Sequence, residues 1–178
     1  MRIQRCLAIL VLAVAACSAP AAPSLSPATF EEFATNACDA FEAMFRAVGN
    51  PDTGEDSELS KALEEAVQRG DPAEAGRLAE AITVELESGR QAASRAAAWP
   101  PGFAAMSEFD RVLLAFEAMI DAKRQTVGNP DGPDPQAAFE AAGGMTSWTA
   151  MFEAARTMQS ARPADVPPHE CEGIPMGW

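Results

Sequence analysis

The chain has 178 residues, and its 13 lysine and arginine side chains against 26 aspartates and glutamates give a net charge of −13. Such an acidic surface repels nucleic acid, so we expect no nucleic acid as a partner. The single histidine leaves too few imidazoles for a multi-histidine zinc site, a Glu-x-x-His di-iron bundle or a Ser-His-Asp triad on the helices. We therefore predict no metal, no cofactor and no catalytic residue.

The N-terminus has the pattern of a secretory signal peptide. Arg2 and Arg5 precede an uncharged apolar run that ends at Ala16. This run is shorter than the roughly 20 residues that a transmembrane helix needs. Removal of residues 1–16 would leave 178 − 16 = 162 residues with a charge of (13 − 2) − 26 = −15, which fits one domain with its own core.

The junction Val14-Ala-Ala-Cys17 resembles the lipobox of bacterial lipoproteins. The resemblance implies that Cys17 becomes the first mature residue and carries a thioether-linked diacylglycerol, often with a further acyl chain on its amine. Membrane lipid would then be the partner of acylated Cys17, in the cell membrane or the outer membrane, because two or more chains hold a protein stably. The alternative is cleavage at Ala19-Pro-Ala21, which would leave a soluble secreted protein.

The two ends of the mature chain are predicted to be irregular. Residues 17–26 comprise the lipidated cysteine and a small, proline-bearing linker that favours extended conformations. Residues 163–178 contain four prolines and form the predicted tail. The helical domain is expected between them, at residues 27–162.

Cysteine use agrees with an oxidising compartment. Cys6 leaves with the signal peptide and Cys17 takes the lipid, so Cys38 and Cys171 remain. We predict a disulfide between these two, which would hold the tail against the first helix.

The first half of the domain predicts three helices. The capping box of Thr29 and Glu32 begins the first, and Gly49 ends it before a turn. A short helix at residues 57–70 and a long one at residues 71–99 follow. The first helix has an apolar face formed by Phe30, Phe33, Ala37, Phe41, Met44 or Phe45, and Val48. The inward face of the third is mostly small, which allows a neighbouring backbone to come close; its residues are Ala75, Ala79, Ile82, Leu86, Gly89, Ala93 and Ala96.

The second half predicts one strong helix and one interrupted helical stretch. The helix at residues 103–127 has an apolar stripe of Met106, Phe109, Val112, Leu113, Phe116, Met119 and Ile120. We expect Phe41, Phe109, Leu113 and Phe116 to be buried together. The last stretch begins at the cap Asp134 and has Phe139, Ala142, Trp148, Phe152 and Ala155 as its apolar residues. Gly143-Gly144 either kinks this helical stretch or divides it into two helices. We expect tight helix packing at this break in preference to an open pocket.

A short internal sequence repeat suggests duplication. Residues 40–44 recur as residues 115–119, and residues 48–52 recur as residues 127–131. The fold class is therefore predicted as all-α, a four- to five-helix bundle that could be built from two related helical hairpins. Chance recurrence in an Ala- and Glu-rich chain is the alternative.

Few residues are candidates for chemistry. His169 lies in the tail and could act with Met176 as a copper ligand, or alone as a general base, but a solvated tail residue is favoured. The acidic clusters alternate with lysines and arginines at helical spacings, which is typical of a solvated face; they contain Glu31, Glu32, Glu64, Glu65, Glu85 and Glu87. The sequence thus predicts a non-catalytic binding or structural module whose protein or small-molecule partner is unknown. The alternative is an extracytoplasmic enzyme or metal-binding protein that uses carboxylates or His169 with Met176.

Overall fold

The computed structural model describes residues 28–50, 53–129, 131–165 and 171. Within this part, the chain forms six α-helices, a 3₁₀ turn at Pro100–Gly102 and a hairpin of two very short strands. The helices are α1 (Phe30–Val48), α2 (Glu58–Gln68), α3 (Pro72–Ala96), α4 (Phe103–Gln125), α5 (Pro135–Ala141) and α6 (Gly144–Gln159), and the strands are β1 (Gly49–Asn50) and β2 (Glu55–Asp56). The prediction of an all-α bundle is confirmed.

Several predicted features lie outside the described residues and stay predictions. They are the signal peptide, Cys17, the whole linker, His169 and Met176. Of the predicted tail, residues 163–165 and Cys171 are described, and none of these is helical.

The predicted caps begin the helices for the expected physical reason. Thr29 Oγ1 accepts a hydrogen bond from the Glu32 backbone N–H at 3.2 Å, and the Thr29 N–H donates to Glu32 Oε2 at 2.8 Å. Each bond satisfies an amide that has no partner inside the helix. Asp71 and Asp134 cap α3 and α5 by accepting a hydrogen bond from a backbone N–H of the first turn, and a proline follows each of them at the first helical position.

A small hairpin replaces the simple turn predicted after α1. Gly49 caps α1 through its N–H bond to the Phe45 carbonyl and then pairs with Asp56 across the hairpin. Its φ of 104° lies in the region that favours glycine, and a Cβ there would overlap the Glu55 carbonyl. The matching glycine of the internal repeat, Gly128, has a φ of 66° and lies in a turn, so the two glycines adopt different conformations.

The domain consists of two units with the same order of elements. In each unit a long helix, a short helix and a second long helix follow one another, as α1–α2–α3 and α4–α5–α6. The long helices of each unit pack on one another, and α3 packs on α4 to join the units. Phe30 at the start of α1 contacts Trp99 just beyond the end of α3, with ring centroids 5.4 Å apart, so these two helices are antiparallel. The duplication suggested by the internal repeat stays a prediction.

Phe41 and Phe116, which occupy matching positions in the internal repeat, have different surroundings. Phe41 is buried and stacks on Phe109 with ring centroids 4.2 Å apart, next to the fully buried Leu113. Phe116 is only partly buried and packs on Phe139 of α5 at 4.8 Å. Joint burial was therefore predicted correctly for three of the four residues and was wrong for Phe116, because the short helix α5 covers it less completely than α1 covers Phe109.

The small-residue face of α3 is buried along its whole length, as predicted. At its centre is Gly89, where a Cβ would lie 3.2 Å from the Ala40 carbonyl oxygen of α1 and 3.2 Å from Leu113 Cδ1 of α4. Both distances are shorter than an ordinary van der Waals contact. Three helices therefore meet at a position where only a hydrogen fits without displacement.

The double glycine divides the last helical stretch. Gly143 has a left-handed φ of 82° between α5 and α6. A Cβ at Gly144 would overlap the ring of Phe139, so the space at the break is filled by an aromatic ring. Tight packing is thus the observed role of this break. Ala142, predicted on the apolar face, is exposed because α5 ends one residue before it.

The predicted disulfide is present. Cys38 of α1 and Cys171 are bonded with Cα atoms 5.4 Å apart, and both residues are buried. The bond joins positions 133 residues apart and ties the segment after α6 to the middle of α1. By restricting the unfolded chain, a loop of this length contributes about 4 to 5 kcal/mol before any strain is subtracted.

Replacement of Phe109 by alanine tests the core. We expect Phe109→Ala to lower the free energy of unfolding by about 3 to 5 kcal/mol, because the ring is fully buried and the cavity would be only partly refilled. Urea unfolding followed by circular dichroism measures the change. Glu153→Ala, on the exposed side of α6, is the control and should stay within about 0.5 kcal/mol. Similar small losses for both variants would contradict this assignment of the core.

Two glycines of α3 make a matched test of helix packing. Gly76 has open space where its Cβ would stand, so Gly76→Ala should raise the free energy of unfolding by about 0.5 to 1 kcal/mol through helix propensity alone. Gly89→Leu should instead lower it by at least about 1 to 3 kcal/mol, because the added side chain meets α1 and α4. Thermal and urea unfolding of both variants give the comparison. An unchanged stability of Gly89→Leu would mean that the three helices are not in close contact there.

Candidate functional site

A network of charges joins α3 to α4 around Arg90. Its Nε lies 2.9 Å from Asp110 Oδ1 on α4, and its Nη1 lies 3.1 Å from Glu87 Oε2 on α3. Glu117 Oε1, also on α4, is 3.7 Å from the same Nη1. One guanidinium is therefore shared by three carboxylates from two helices, and an excess of two negative charges remains at this place.

Partial burial affects the ionisation of Glu117. Its side chain is 25% exposed, and burial raises the pKa of its carboxyl group. The Arg90 charge lowers this pKa in turn, but not enough to cancel the effect of burial, and the like charges of Glu87 and Asp110 raise it further. The charged form of Glu117 is thus less stable in the network than the charged form of a glutamate in water.

Two cavities lie along the contact between α3 and α4, and the Arg90 network contributes residues to both. We call the whole feature the α3–α4 groove. The first cavity, of about 540 Å³, is lined by Glu87, Arg90, Gln91, Ala93, Ser94, Ala97, Phe103, Met106, Ser107, Asp110 and Arg111. The second, of about 370 Å³, is lined by Gly76, Ala79, Glu80, Thr83, Val84, Glu117, Ile120, Asp121 and Arg124. The contact of Arg90 with Glu117 connects a residue of the first cavity to one of the second.

Large apolar side chains are exposed beside these acids. Phe103 in the first cavity is 60% exposed and Val84 in the second is 63% exposed. Leu114 is 40% exposed and lies one helical turn from both Asp110 and Glu117, on the same side of α4. The groove can therefore offer apolar contact and negative charge at the same surface, which is a combination suited to binding.

The acidic clusters named in the sequence lie mainly on solvated faces, as predicted. Glu58 pairs with Lys61, Glu65 with Arg69 and Glu74 with Arg77, each three or four residues apart on one helix. Such exposed pairs contribute little to stability.

Two of the named acids pair with a cation of another helix: Glu85 lies 3.0 Å from Arg46 of α1, and the second is Glu64. It forms an ion pair with Lys123, which links α2 to α4, and it accepts a hydrogen bond from Gln68 at 3.1 Å. The hydrogen bonds from Lys123 and Gln68 lower the pKa of the Glu64 carboxyl group. The Glu64 side chain remains 46% exposed, in keeping with a solvated face, and its ion pair joins two helices.

No sequence pattern directly indicated the groove. Arg90 follows Glu87 by three residues on one helix, but its partners on α4 depend on how the helices pack. Val84 and Leu114 did offer a signal, since each lies away from the buried stripe of its helix and is nevertheless large and apolar. Apolar residues away from the buried face are candidates for an interface.

Two further properties concern the described part of the chain. In these residues, no three or more His, Cys, Asp and Glu side chains are grouped so that they could hold a metal ion. No helix among them combines the length and the hydropathy that crossing a membrane requires.

No protein-family model, curated protein or solved structure matches the chain.

Two glutamates with opposite pKa shifts give a test of the site. Because the pKa of Glu117 is raised in the folded protein, the protonated side chain stabilises the fold below the ordinary pKa of 4.5. This stabilisation is lost as pH rises through the raised value. Glu117→Gln should therefore unfold less readily than the unmodified protein at pH 7, and this advantage should disappear below about pH 4.5. Urea unfolding at a series of pH values measures it.

Glu64→Gln is the counterpart with the opposite sign. The lowered pKa of Glu64 stabilises the fold above the ordinary value of 4.5, and this contribution is lost as pH falls through the lowered value. The variant should lose about 0.2 to 1 kcal/mol at pH 7, the usual range for an exposed ion pair. If both variants shifted stability in the same direction at pH 7, the description of Glu117 would be wrong.

Proposed function

We propose that this chain is an exported, lipid-anchored protein whose helical domain binds a protein partner at the cell envelope without catalysing a reaction. The single observation that supports this most is the α3–α4 groove, where Phe103 and Val84 remain largely exposed. Exposed large apolar side chains beside a polar surface are typical of a site that is covered by another molecule.

The charge network around Arg90 opposes one class of catalytic site, a site for an anionic substrate. Arg90 is shared by Glu87, Asp110 and Glu117, and these contacts link α3 to α4. A structural role in holding the two helices together accounts for all four side chains. An anionic substrate would have to compete with three carboxylates for this guanidinium, which opposes its binding.

The proposed anchor agrees with the position of the domain's first helix. Residues 18–26 would span up to about 28 Å if extended at 3.1 Å per residue, which separates the domain from the lipid headgroups. The first helix begins next to the 3₁₀ turn, since a Cβ at Gly102 would overlap the ring of Phe33. Phe103 follows directly, so the groove opens at the end of the bundle at which the anchor enters.

Photo-crosslinking in intact cells tests this function. A photo-crosslinking amino acid at position 84, in the chain with Cys17 retained, should give a discrete protein adduct, because Val84 lies within the groove. The same amino acid at position 153, on the exposed side of α6, is the control and should not give this adduct. Cys17→Ala should release the protein from the membrane fraction, or leave the precursor uncleaved, and should weaken the adduct.

Three results would contradict the proposal. Adducts of equal yield from positions 84 and 153 would mean that contact is not specific to the groove. Phospholipid in place of protein at position 84 would mean that this face lies on the membrane. Failure of the unmodified chain to incorporate labelled fatty acid would remove the lipid anchor.

A further inference from the structure

We propose that the α3–α4 groove receives a helix of the partner protein that has lysine or arginine side chains along one side and apolar side chains next to them. This inference rests on the proposed function and names the chemistry of the partner. It follows from the length of the groove, the charge of its walls and the positions of its exposed apolar residues.

The dimensions of the groove fit a helix. Along α3 the lining residues extend from Gly76 to Ala97, which is about 32 Å at 1.5 Å per residue. Side chains three and four residues apart line both walls, so ridges of side chains run along the groove on each side. A third helix of about 20 residues can pack into such a depression between two antiparallel helices.

The walls have an excess of negative charge. The charged residues that line the two cavities are Glu80, Glu87, Asp110, Glu117 and Asp121 against Arg90, Arg111 and Arg124, which gives 3 − 5 = −2. Arg111 already pairs with Glu108 at 2.8 Å, and Arg124 with Asp121 at 2.7 Å. The cations of the groove are therefore engaged within the domain, and a partner's cation would meet carboxylates.

The partly buried Glu117 has particular reason to attract a cation. Its charge is opposed by burial and by the neighbouring carboxylates, and Arg90 offsets only part of this cost. A partner's ammonium or guanidinium group beside Glu117 would stabilise the charged form. The apolar neighbours Val84 and Leu114 would at the same time lose their exposure to water on contact with apolar side chains of the same helix.

Other occupants fit less well. A second copy of this chain would bring another acidic face, and the two would repel each other. The chain's own segments outside the structure at residues 18–26 and 172–178 contain no lysine or arginine. Charge complementarity therefore indicates a different protein.

Binding of a synthetic helix tests the inference. The probe is a fluorescent amphipathic peptide of about 20 residues made of leucine and lysine, and its counterpart replaces every lysine with glutamate. Fluorescence anisotropy is measured with the full lipidated chain in phosphatidylcholine nanodiscs, and empty nanodiscs are subtracted. The Leu-Lys peptide should bind, and the Leu-Glu peptide should not.

Matched charge variants locate the binding site. Glu80→Gln with Glu117→Gln removes two charges from the groove, and Asp39→Asn with Glu153→Gln removes two from the exposed sides of α1 and α6. The groove variant should weaken binding of the Leu-Lys peptide at least tenfold, and the other should change it less than twofold. Val84→Ser should weaken it at least threefold, with the melting temperature of each variant measured alongside.

The outcomes separate this inference from the proposed function. Equal weakening by both charge variants, an unchanged affinity of Val84→Ser, or equal binding of the two peptides would overturn the inference, because attraction would then be general or unrelated to the groove. If the protein adduct at position 84 forms in cells while the Leu-Lys peptide does not bind, the groove binds a partner of other chemistry. If the peptide binds as expected but no adduct forms, the proposed function fails.

Discussion

The close approach of α1, α3 and α4 at Gly89 is the constraint on which the rest of the structure depends. With hydrogen as its side chain, Gly89 lets the Ala40 carbonyl and the Leu113 methyl group come nearer than a Cβ would allow. The neighbouring alanines of α3 extend this contact along the helix. Because the helices are so close, Phe41 and Phe109 can stack across the remaining space at 4.2 Å and fill it.

The same packing determines what lies on the outside. Arg90 follows Gly89 and is turned by about 100° around a helix of 3.6 residues per turn, so it lies at the edge of the contact with α4. There it meets Asp110 and Glu117. The position of the groove and of its charge network thus depends on the close packing of α3 against α4. A larger residue at position 89 would alter the core and the groove together.

The prediction of elements from sequence was accurate where a local signal decides the outcome. The Thr29 and Glu32 box and the Asp71-Pro72 and Asp134-Pro135 caps begin helices because their side chains satisfy amides within one turn of the same chain. The pairing of Cys38 with Cys171 followed from counting the cysteines that export would leave. Phe116 and Ala142 were placed wrongly because their burial depends on how far α5 extends and what it covers, which no periodicity specifies.

The sequence by itself determined that the chain is helical, where most of its helices begin, which faces are apolar and which cysteines pair. These properties depend on hydrogen bonds and side-chain spacing within a single segment, or on residue counts. Only the tertiary structure decided that Arg90 joins α3 to α4, that Glu64 reaches Lys123 of α4, and that Phe139 fills the break at Gly144. Each of these contacts joins different helices or the two sides of a break, and its geometry is set by the distance and register at which the helices pack.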